Sequence, residues 1–349
     1  MAIREAMTEP AISGPALVVR APEDIVIEER TYHWPGPGEV LVRPHYVGLC
    51  GTDLDIVHGD LDPVYVRYPL VLGHEWSGRI LAVGERVEGL RDGDPVVVEG
   101  VLACGRCSFC RAGKTNLCQN YEELGFTVAG AAGPAVLAPA PLTHLLAEHV
   151  PLEAGALVEP AAVVLRGLLE MAIIPGLKVL VIGDGTIALL AAHLVRMWSP
   201  SSVTMSGLRA AQRSLAEAAG VSEFTVAIPE ERTYDLVVEA AGSTDAVETA
   251  LLSVARGGQV LVLGIAGHGK AAGLHVDDLV NNDVSVRGSF SYTAASWALI
   301  VRLINGGGFE PSGLITHRFT IDRHAEALNV LASTGGGPRG KVLFEMTGS

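Results

Sequence analysis

Val179-Leu-Val-Ile-Gly-Asp-Gly-Thr-Ile-Ala188 decides the fold of this chain. The apolar run from Val179 to Ile182, entered from Lys178, reads as a short buried strand. Gly183 and Gly185 then make a turn open enough for backbone and helix amides to approach a pyrophosphate. Helical periodicity resumes at Thr186 and runs to Met197. A strand, a glycine turn and a helix in that order are the context in which a G-x-G fingerprint carries meaning. Ala188 takes the third glycine position, where the requirement is close packing of helix on strand.

The same texture continues downstream. Ser202 to Ser206, Leu236 to Glu239, Gln259 to Leu263 and Val284 to Gly288 read as further strands. Ala210 to Ala219 and Asp245 to Ala255 read as helices between them. Strands alternating with helices predict right-handed crossovers and a doubly wound parallel sheet, an α/β fold. Upstream the character is mostly β. Short strands at Glu39 to Val47, Gly78 to Val83 and Pro95 to Glu99 are punctuated by Pro35-Gly-Pro-Gly38 and Asp92-Gly-Asp-Pro95. After the turn signals Asn305-Gly-Gly-Gly308 and Gly335-Gly-Gly-Pro338, Gly340 to Met346 reads as a closing strand able to rejoin the first half. This predicts two domains: residues 1–160 with 300–349, and residues 161–299. There is no internal repeat, and only Ala129 to Leu142, built mainly of Ala, Gly and Pro, approaches low complexity.

Composition sets limits on partners. With 349 residues, 49% of them hydrophobic and 18% charged, the chain is globular and large enough for two cores. Its formal net charge of −14 repels phosphate backbones and anionic membranes, which argues against nucleic acid and lipid as partners. The start, Met1 to Val19, has Glu5, Glu9 and Pro10 and lacks the basic start and apolar run of a signal peptide. No apolar stretch reaches the roughly eighteen residues of a membrane span. A cytoplasmic protein with reduced thiols is expected, so its five cysteines need a use other than disulfides.

Four of them fall as Cys104-x2-Cys107-x2-Cys110-x7-Cys118, within a lobe at about residues 100–120. Thiolates so spaced suit one tetrahedral structural zinc. Ferredoxin-type iron–sulfur runs share the first two gaps, but there the fourth cysteine follows after three residues and precedes Pro, whereas Gln119 follows here. The fifth, Cys50, stands in Gly48-Leu-Cys-Gly-Thr-Asp53, and His74-Glu75 follows in Gly73-His-Glu-Trp76. A lone Cys or His is usually an ordinary packed residue. Together with a carboxylate they would form a mixed S, N, O set with one open position, the pattern of a catalytic zinc.

Cys50-Gly-Thr-Asp53, Gly73-His-Glu75, the Cys104 to Cys118 lobe, Val158-Glu-Pro160 and the glycine turn stand in the order and spacing of the zinc-containing medium-chain dehydrogenases. The chain resembles that family from about Pro35 to Lys341, and most of all its sorbitol, threonine and glucose dehydrogenase branch. The resemblance implies a GroES-like catalytic domain beside a Rossmann cofactor domain, with an active-site zinc between them. It implies two zinc ions per chain, hydride transfer between a nicotinamide dinucleotide and a small hydroxyl or carbonyl substrate, and a homo-oligomer, tetramer before dimer. By the same resemblance Cys50, His74 and either Glu75 or Glu159 bind the catalytic ion, with Glu159 favoured and Glu75 able to exchange. Thr52 would hydrogen-bond the substrate oxygen and pass its proton on. Many relatives carry His at the position of Asp55, so the outward proton route is open here; Asp55 would bind a substrate hydroxyl or face solvent. Thr52, Asp55 and His58 suggest a secondary alcohol of a polyol, sugar or sugar-derived compound.

Gly183 and Gly185 would meet the pyrophosphate, and Thr186, Ile187, Leu263, Gly264, Ile265 and Ser289 are further residues expected to bind the cofactor. An NAD-binding unit carries an acid at the end of its second strand, about twenty residues beyond the glycine turn. Here Ser206 runs into Gly207-Leu-Arg209, with Arg213 beyond and no acid at that place. Gly207 leaves room, Ser206 can donate, and Arg209 or Arg213 offers a fork suited to a 2′-phosphate. NADP(H) is therefore expected over NAD(H). The alternatives are an NAD(H)-dependent threonine or amino-alcohol dehydrogenase, a zinc-free carbonyl or enone reductase, and a non-enzymatic zinc-ribbon protein. The acidic charge and the Cys50 and His74 pair oppose the last; the retained ligands oppose the zinc-free reductase.

Overall fold

Six parallel strands make the sheet that the glycine turn predicts. Their spatial order is Glu223–Thr225, Ser202–Ser206, Lys178–Ile182, Tyr234–Glu239, Val254–Val262, Ser285–Gly288. In sequence order that is 3-2-1-4-5-6, the arrangement that opens a crevice between strands 1 and 4 at their carboxyl ends. The interiors of Lys178–Ile182 and Ser202–Ser206 are buried on both faces, and both match their expected limits. Elsewhere limits move. Tyr234–Glu239 starts two residues early, and Gln259 to Leu263 is only the distal part of Val254–Val262. The helix Thr186–Val195 tightens into a 3₁₀ turn over Arg196–Trp198, and Ala210 to Ala219 divides into a 3₁₀ turn, Ala210–Gln212, and the helix Arg213–Ala218. Thr244–Ser253 replaces Asp245 to Ala255, because Ser243 caps it by accepting the Ala246 N–H at 3.2 Å.

The computed structural model describes residues 10–346 apart from positions 230, 268 and 334, so the reading of Met1 to Glu9 lies outside the described residues. In the β-rich half, Glu39–Leu49 is the central strand. It pairs antiparallel with Glu75–Val83 on one side and with Lys341–Glu345 on the other. The chain's closing strand thus returns to the first half as expected. A hairpin of Pro10–Ala21 and Asp24–His33, and the strand Ile315–Phe319 parallel to Lys341–Glu345, were not legible as strands. Among the described residues no helix is long and apolar enough to cross a membrane.

One helix joins the two halves. Val158–Leu169 buries most of its length against Thr186–Val195 and Ala294–Asn305. A Cβ at its Gly167 would stand 3.0 Å from Leu263 Cδ2 and 3.1 Å from Leu261 Cδ2, so the helix lies close on the parallel sheet. Its first turn carries Glu159 and its last turn Arg166.

Candidate active site

Cys50 ends the central strand and opens the helix Gly51–His58. The first turn of that helix shapes a ligand set. Asp53 is fully buried; its Oδ2 accepts the backbone N–H of Cys50 at 2.8 Å, while Oδ1 stands 3.5 Å from His74 Nδ1. Neither Oδ1 nor Nδ1 has a hydrogen-bond partner; a proton on Nδ1, facing that carboxylate, leaves Nε2 with its lone pair free, the arrangement seen behind metal-ligating histidines. Nε2 lies 3.3 Å from Cys50 Sγ. Ligand atoms of Cys50, His74 and Glu75 all lie within 4.8 Å of one another. Sulfur and nitrogen ligands at zinc distances of about 2.3 and 2.1 Å in a tetrahedron would be about 3.6 Å apart, so the donors present fit that ion. Burial pulls the His74 pKa down, but Cys50 and Asp53 outweigh it and raise it well above the usual imidazole value. The Phe126 ring covers the imidazole at 4.8 Å between centroids.

The carboxylates around this pair differ in partner. Glu75, 2% exposed, is ion-paired with Lys341, 1% exposed, whose ammonium also donates to the carbonyl of Leu49 at 3.1 Å. Burial pulls the Lys341 pKa down, yet Glu75 and Cys50 reverse this and raise it. Glu159 lies outside the 4.8 Å group, so Glu75 is the carboxylate standing beside Cys50 and His74. Burial pushes Glu159 up to about 8; His74 and Lys341 oppose that shift, and Glu75 and Glu123 add to it. Burial likewise raises Glu123 to about 7 against His74. A pocket holding this many raised carboxyls is one that a cation would stabilise. Thr52 is half-buried on the same first turn. Asp55, one turn on, has a pKa raised by burial and by Asp60 against His58. His58 is turned outward to Glu23, 2.6 Å away, and does not join the set.

The cysteine lobe closes as its spacing predicts. Sγ atoms of Cys104, Cys107, Cys110 and Cys118 fall within 4.8 Å of one another, with Cys107 to Cys110 at 3.5 Å and Cys104 to Cys110 at 4.0 Å. All five cysteines are free thiols. Four sulfurs at about 2.3 Å from one ion would be about 3.8 Å apart. Backbone N–H groups of Cys110 and Gln119 draw Cys107 down to about 6, while burial pushes Cys110 up to about 12. The four cannot ionise together without a cation among them.

The expected cofactor residues collect at the carboxyl ends of the parallel strands. Gly183 has φ +120°, and a Cβ there would stand 2.9 Å from the Ala240 carbonyl, so only glycine lets strands 1 and 4 meet at the crevice. Gly185 precedes Thr186 and Ile187 at the helix start, with open space before it. Leu263 and Gly264 bond through their N–H groups to Glu239 O, and Ile265 is 70% exposed beyond them. Ser289 accepts from Arg166 Nη1 at 2.8 Å. Ser206 donates to Ala227 O, and Gly207 N–H to Thr225 O.

Two expectations at the second strand need correction. No acid follows Ser206 in sequence, but the carboxylate of Asp184 reaches that place from the glycine turn and takes the Arg209 guanidinium at 2.8 Å. Arg213 lies over the Phe224 ring at 5.6 Å from its centroid. Neither arginine stands free.

Sequence reasoning also passed over Asp53, Glu123, Lys341 and Glu239. Glu239 Oε1 accepts the N–H groups of Ala241 and Gly242 at 2.8 Å, and Oε2 is buried without a partner. Asp53 was quoted inside the motif but given no role. Nothing local marks Lys341.

Comparison with known proteins agrees with this geometry. Residues 36–148 match the family described as "Alcohol dehydrogenase GroES-like domain", and residues 185–306 the family "Zinc-binding dehydrogenase". A 2-dehydro-3-deoxy-L-galactonate 5-dehydrogenase of Pseudoalteromonas atlantica is 30% identical over 89% of this chain and 92% of its own. An L-threonine 3-dehydrogenase of Saccharopolyspora erythraea is 30% identical over 90% of this chain and 93% of its own. Among solved structures, one assigned as a zinc-binding dehydrogenase of Sinorhizobium meliloti 1021, bound to NADP, superposes with a TM-score of 0.88. It is 27% identical and covers 95% of this chain and 98% of its own. With the glycine turn at the crevice of the parallel sheet, and Cys50 and His74 poised at the end of the central strand of the other half, the chain belongs to the zinc-type medium-chain alcohol dehydrogenases.

Proposed function

We propose that this dehydrogenase moves a hydride between NADP(H) and a secondary alcohol or ketone of a polyol, sugar or sugar-derived compound. One observation carries the reading: the helix Val158–Leu169 has Glu159 in the electrostatic field of His74 at one end and Arg166 on Ser289, beside the sheet's carboxyl edge, at the other. One end of this helix stands toward the metal set and the other toward the cofactor crevice. Residues 1–160 with 300–349 then form the catalytic domain and 161–299 the cofactor domain.

Cys50, His74 and a carboxylate would hold the catalytic zinc, with Glu75 in reach and Glu159 able to complete the set. Cys104, Cys107, Cys110 and Cys118 would hold the structural one. A zinc ion at the first set supplies Lewis-acid polarisation of the substrate oxygen. Asp53 fixes the tautomer of His74, and Lys341 balances the charge of Glu75. Thr52 would take the hydroxyl proton and pass it outward, with Asp55 as the polar group next along the helix. Glu123 would offer a polar partner for a further hydroxyl of a polyol, and a relative described as acting on a sugar acid supports a polyhydroxylated substrate, whereas the threonine relative supports the amino-alcohol alternative.

NADP(H) is supported by the relative bound to NADP and by Arg209 beside Gly207, which would leave Asp184 to meet a 2′-phosphate. A cytoplasmic homo-oligomer fits the free thiols and the open sheet edge, where Ser285–Gly288 is exposed along its length and Val286 is 45% exposed. The decisive experiment is a cofactor-absorbance screen of polyols, sugars, amino alcohols and simple alkanols with both cofactors. Turnover of polyols or sugars with NADP⁺ is expected; activity confined to primary alkanols would refute the substrate class.

A further inference from the structure

The second strand of the parallel sheet ends beneath a carboxylate that comes from elsewhere in the chain. Asp184 Oδ2 accepts the backbone N–H groups of Leu208 at 3.0 Å and Arg209 at 2.9 Å. Its Oδ1 accepts from Arg209 Nε at 3.2 Å and Nη2 at 2.8 Å. A Cβ added to Gly207 would stand 2.6 Å from Asp184 Cβ, so the carboxyl lies directly over the glycine that follows the strand. The pair is sunk into the protein, with side chains only 12% and 10% exposed, and Arg209 Nη1 is buried without a partner. Gln212 closes the arrangement from behind by donating to the Asp184 carbonyl.

At this place in a Rossmann sheet an acid accepts the hydrogens of the adenosine ribose and repels a 2′-phosphate, whereas an arginine favours the phosphate. This chain sets both groups on one spot and bonds them to each other. Asp184 already accepts four hydrogen bonds, so a ribose with a free 2′-hydroxyl makes no demand on the pair. A 2′-phosphate can use Arg209 only by drawing it off Asp184, and then stands next to an uncompensated carboxylate. We propose that Asp184 is a specificity-determining residue of the cofactor site, holding Arg209 back from a 2′-phosphate. The inference rests on the reading that the nicotinamide cofactor binds at the Gly183–Gly185 turn; it does not depend on which cofactor the wild-type protein prefers.

The test is calorimetric titration of the purified protein with NAD⁺ and NADP⁺ separately, for wild type, Asp184→Asn, Arg209→Ala and the double variant. Asp184→Asn is expected to raise the ratio of the NAD⁺ Kd to the NADP⁺ Kd by about tenfold or more, the range of one charge-assisted contact. Arg209→Ala, which leaves the Asp184 carboxylate without its counter-ion, should weaken NADP⁺ by about tenfold or more and leave NAD⁺ nearly unchanged, and adding it to Asp184→Asn should cancel the gain. A ratio in Asp184→Asn indistinguishable from wild type, or equal losses for both cofactors in Arg209→Ala, would overturn the proposal and leave the pair as a structural brace. Should Asp184→Asn not fold, as judged by its melting curve, Asp184→Ser is titrated in its place, with the same rise of the ratio expected. Tighter wild-type binding of NAD⁺ than of NADP⁺ would refute the NADP(H) preference while leaving this inference standing, because each variant is read against the wild-type ratio.

Discussion

Lys341 and Glu75, 266 residues apart in sequence, form one fully buried ion pair beside Cys50 and His74. The closing strand therefore delivers a positive charge to the metal set, and does so through the register that pairs Val342 with Leu49, the residue before Cys50. Breaking a buried pair by removing one partner leaves the other charge unpaired, which costs about 3–5 kcal/mol. Lys341→Met is expected to lower stability by that order in urea unfolding of the metal-free protein. Adding Glu75→Gln should return much of it. Additive losses in the double variant would show that the pair is not coupled.

Two separate metal sites should behave differently when emptied. Elemental analysis is expected to find about two zinc ions per chain, about one in Cys50→Ala, and poorly folded protein in Cys107→Ala, since closed thiolate sites contribute folding energy directly. Cys50→Ala should lose nearly all activity with its melting temperature little changed. Iron in place of zinc, or full activity in Cys50→Ala, would contradict the assignment; a single ion in wild type calls for reconstitution with zinc before judgement.

How much of this was legible in the sequence depends on the range of the interaction. Lys178–Ile182 and the turn after it were legible because the strand, buried on both faces past Lys178, is an unbroken apolar run from Val179 to Ile182. Cys50, His74 and the cysteine lobe were legible because metal ligands keep fixed residue types at short spacings. The hairpin Pro10–Ala21 was not, since Gly14 and Pro15 interrupt it and its partner Asp24–His33 is half exposed. Ala129 to Leu142 read as low complexity, and the reason is packing. Gly130 N–H bonds to Val71 O at 2.8 Å and Ala131 N–H to Gly73 O at 2.9 Å, and a Cβ on Gly130 would stand 2.5 Å from Gly73 O. Small residues there let the backbone lie against the segment that presents His74. Lys341 and Asp184 act through contacts that span the fold, and no local pattern announces either.

The raised carboxyls give the metal-free protein a pH signature. Glu123 and Glu159 titrate near 4.5 when unfolded and are raised by burial to about 7 and about 8 in the fold. Between these values the folded state binds more protons than the unfolded one, so stability is full below about pH 4.5 and falls as pH rises through 7 and 8. Each unit of difference corresponds to about 1.4 kcal/mol, so the two groups together account for several kcal/mol. Melting temperatures of the metal-free protein should therefore fall from pH 5 to 8.5, and Glu123→Gln should flatten that slope. A profile that rises over this interval would contradict the burial of these groups as protonated acids.

Tyr292 ties the cysteine lobe to the rest of the molecule, and its hydroxyl is the sharpest place to test that link. The phenol oxygen accepts the backbone N–H of Gly100 at 2.7 Å and of Val101 at 3.0 Å, at the point where the chain enters the lobe. The ring is 1% exposed and packs on Trp297 at 4.8 Å between centroids, so a Phe in its place keeps the packing and removes only the acceptor. Two buried N–H groups would then lack a partner, at about 1–3 kcal/mol each, less whatever the backbone regains by shifting. Tyr292→Phe is expected to lower stability by about 2–4 kcal/mol in chemical unfolding. Because Glu123 lies at the far end of the same lobe, in the field of His74, the variant should also raise KM more than it lowers kcat. Unchanged stability would mean that the two N–H groups find water once the hydroxyl is gone, and that the lobe is held by its other ties, among them Asn116 on the Phe290 carbonyl.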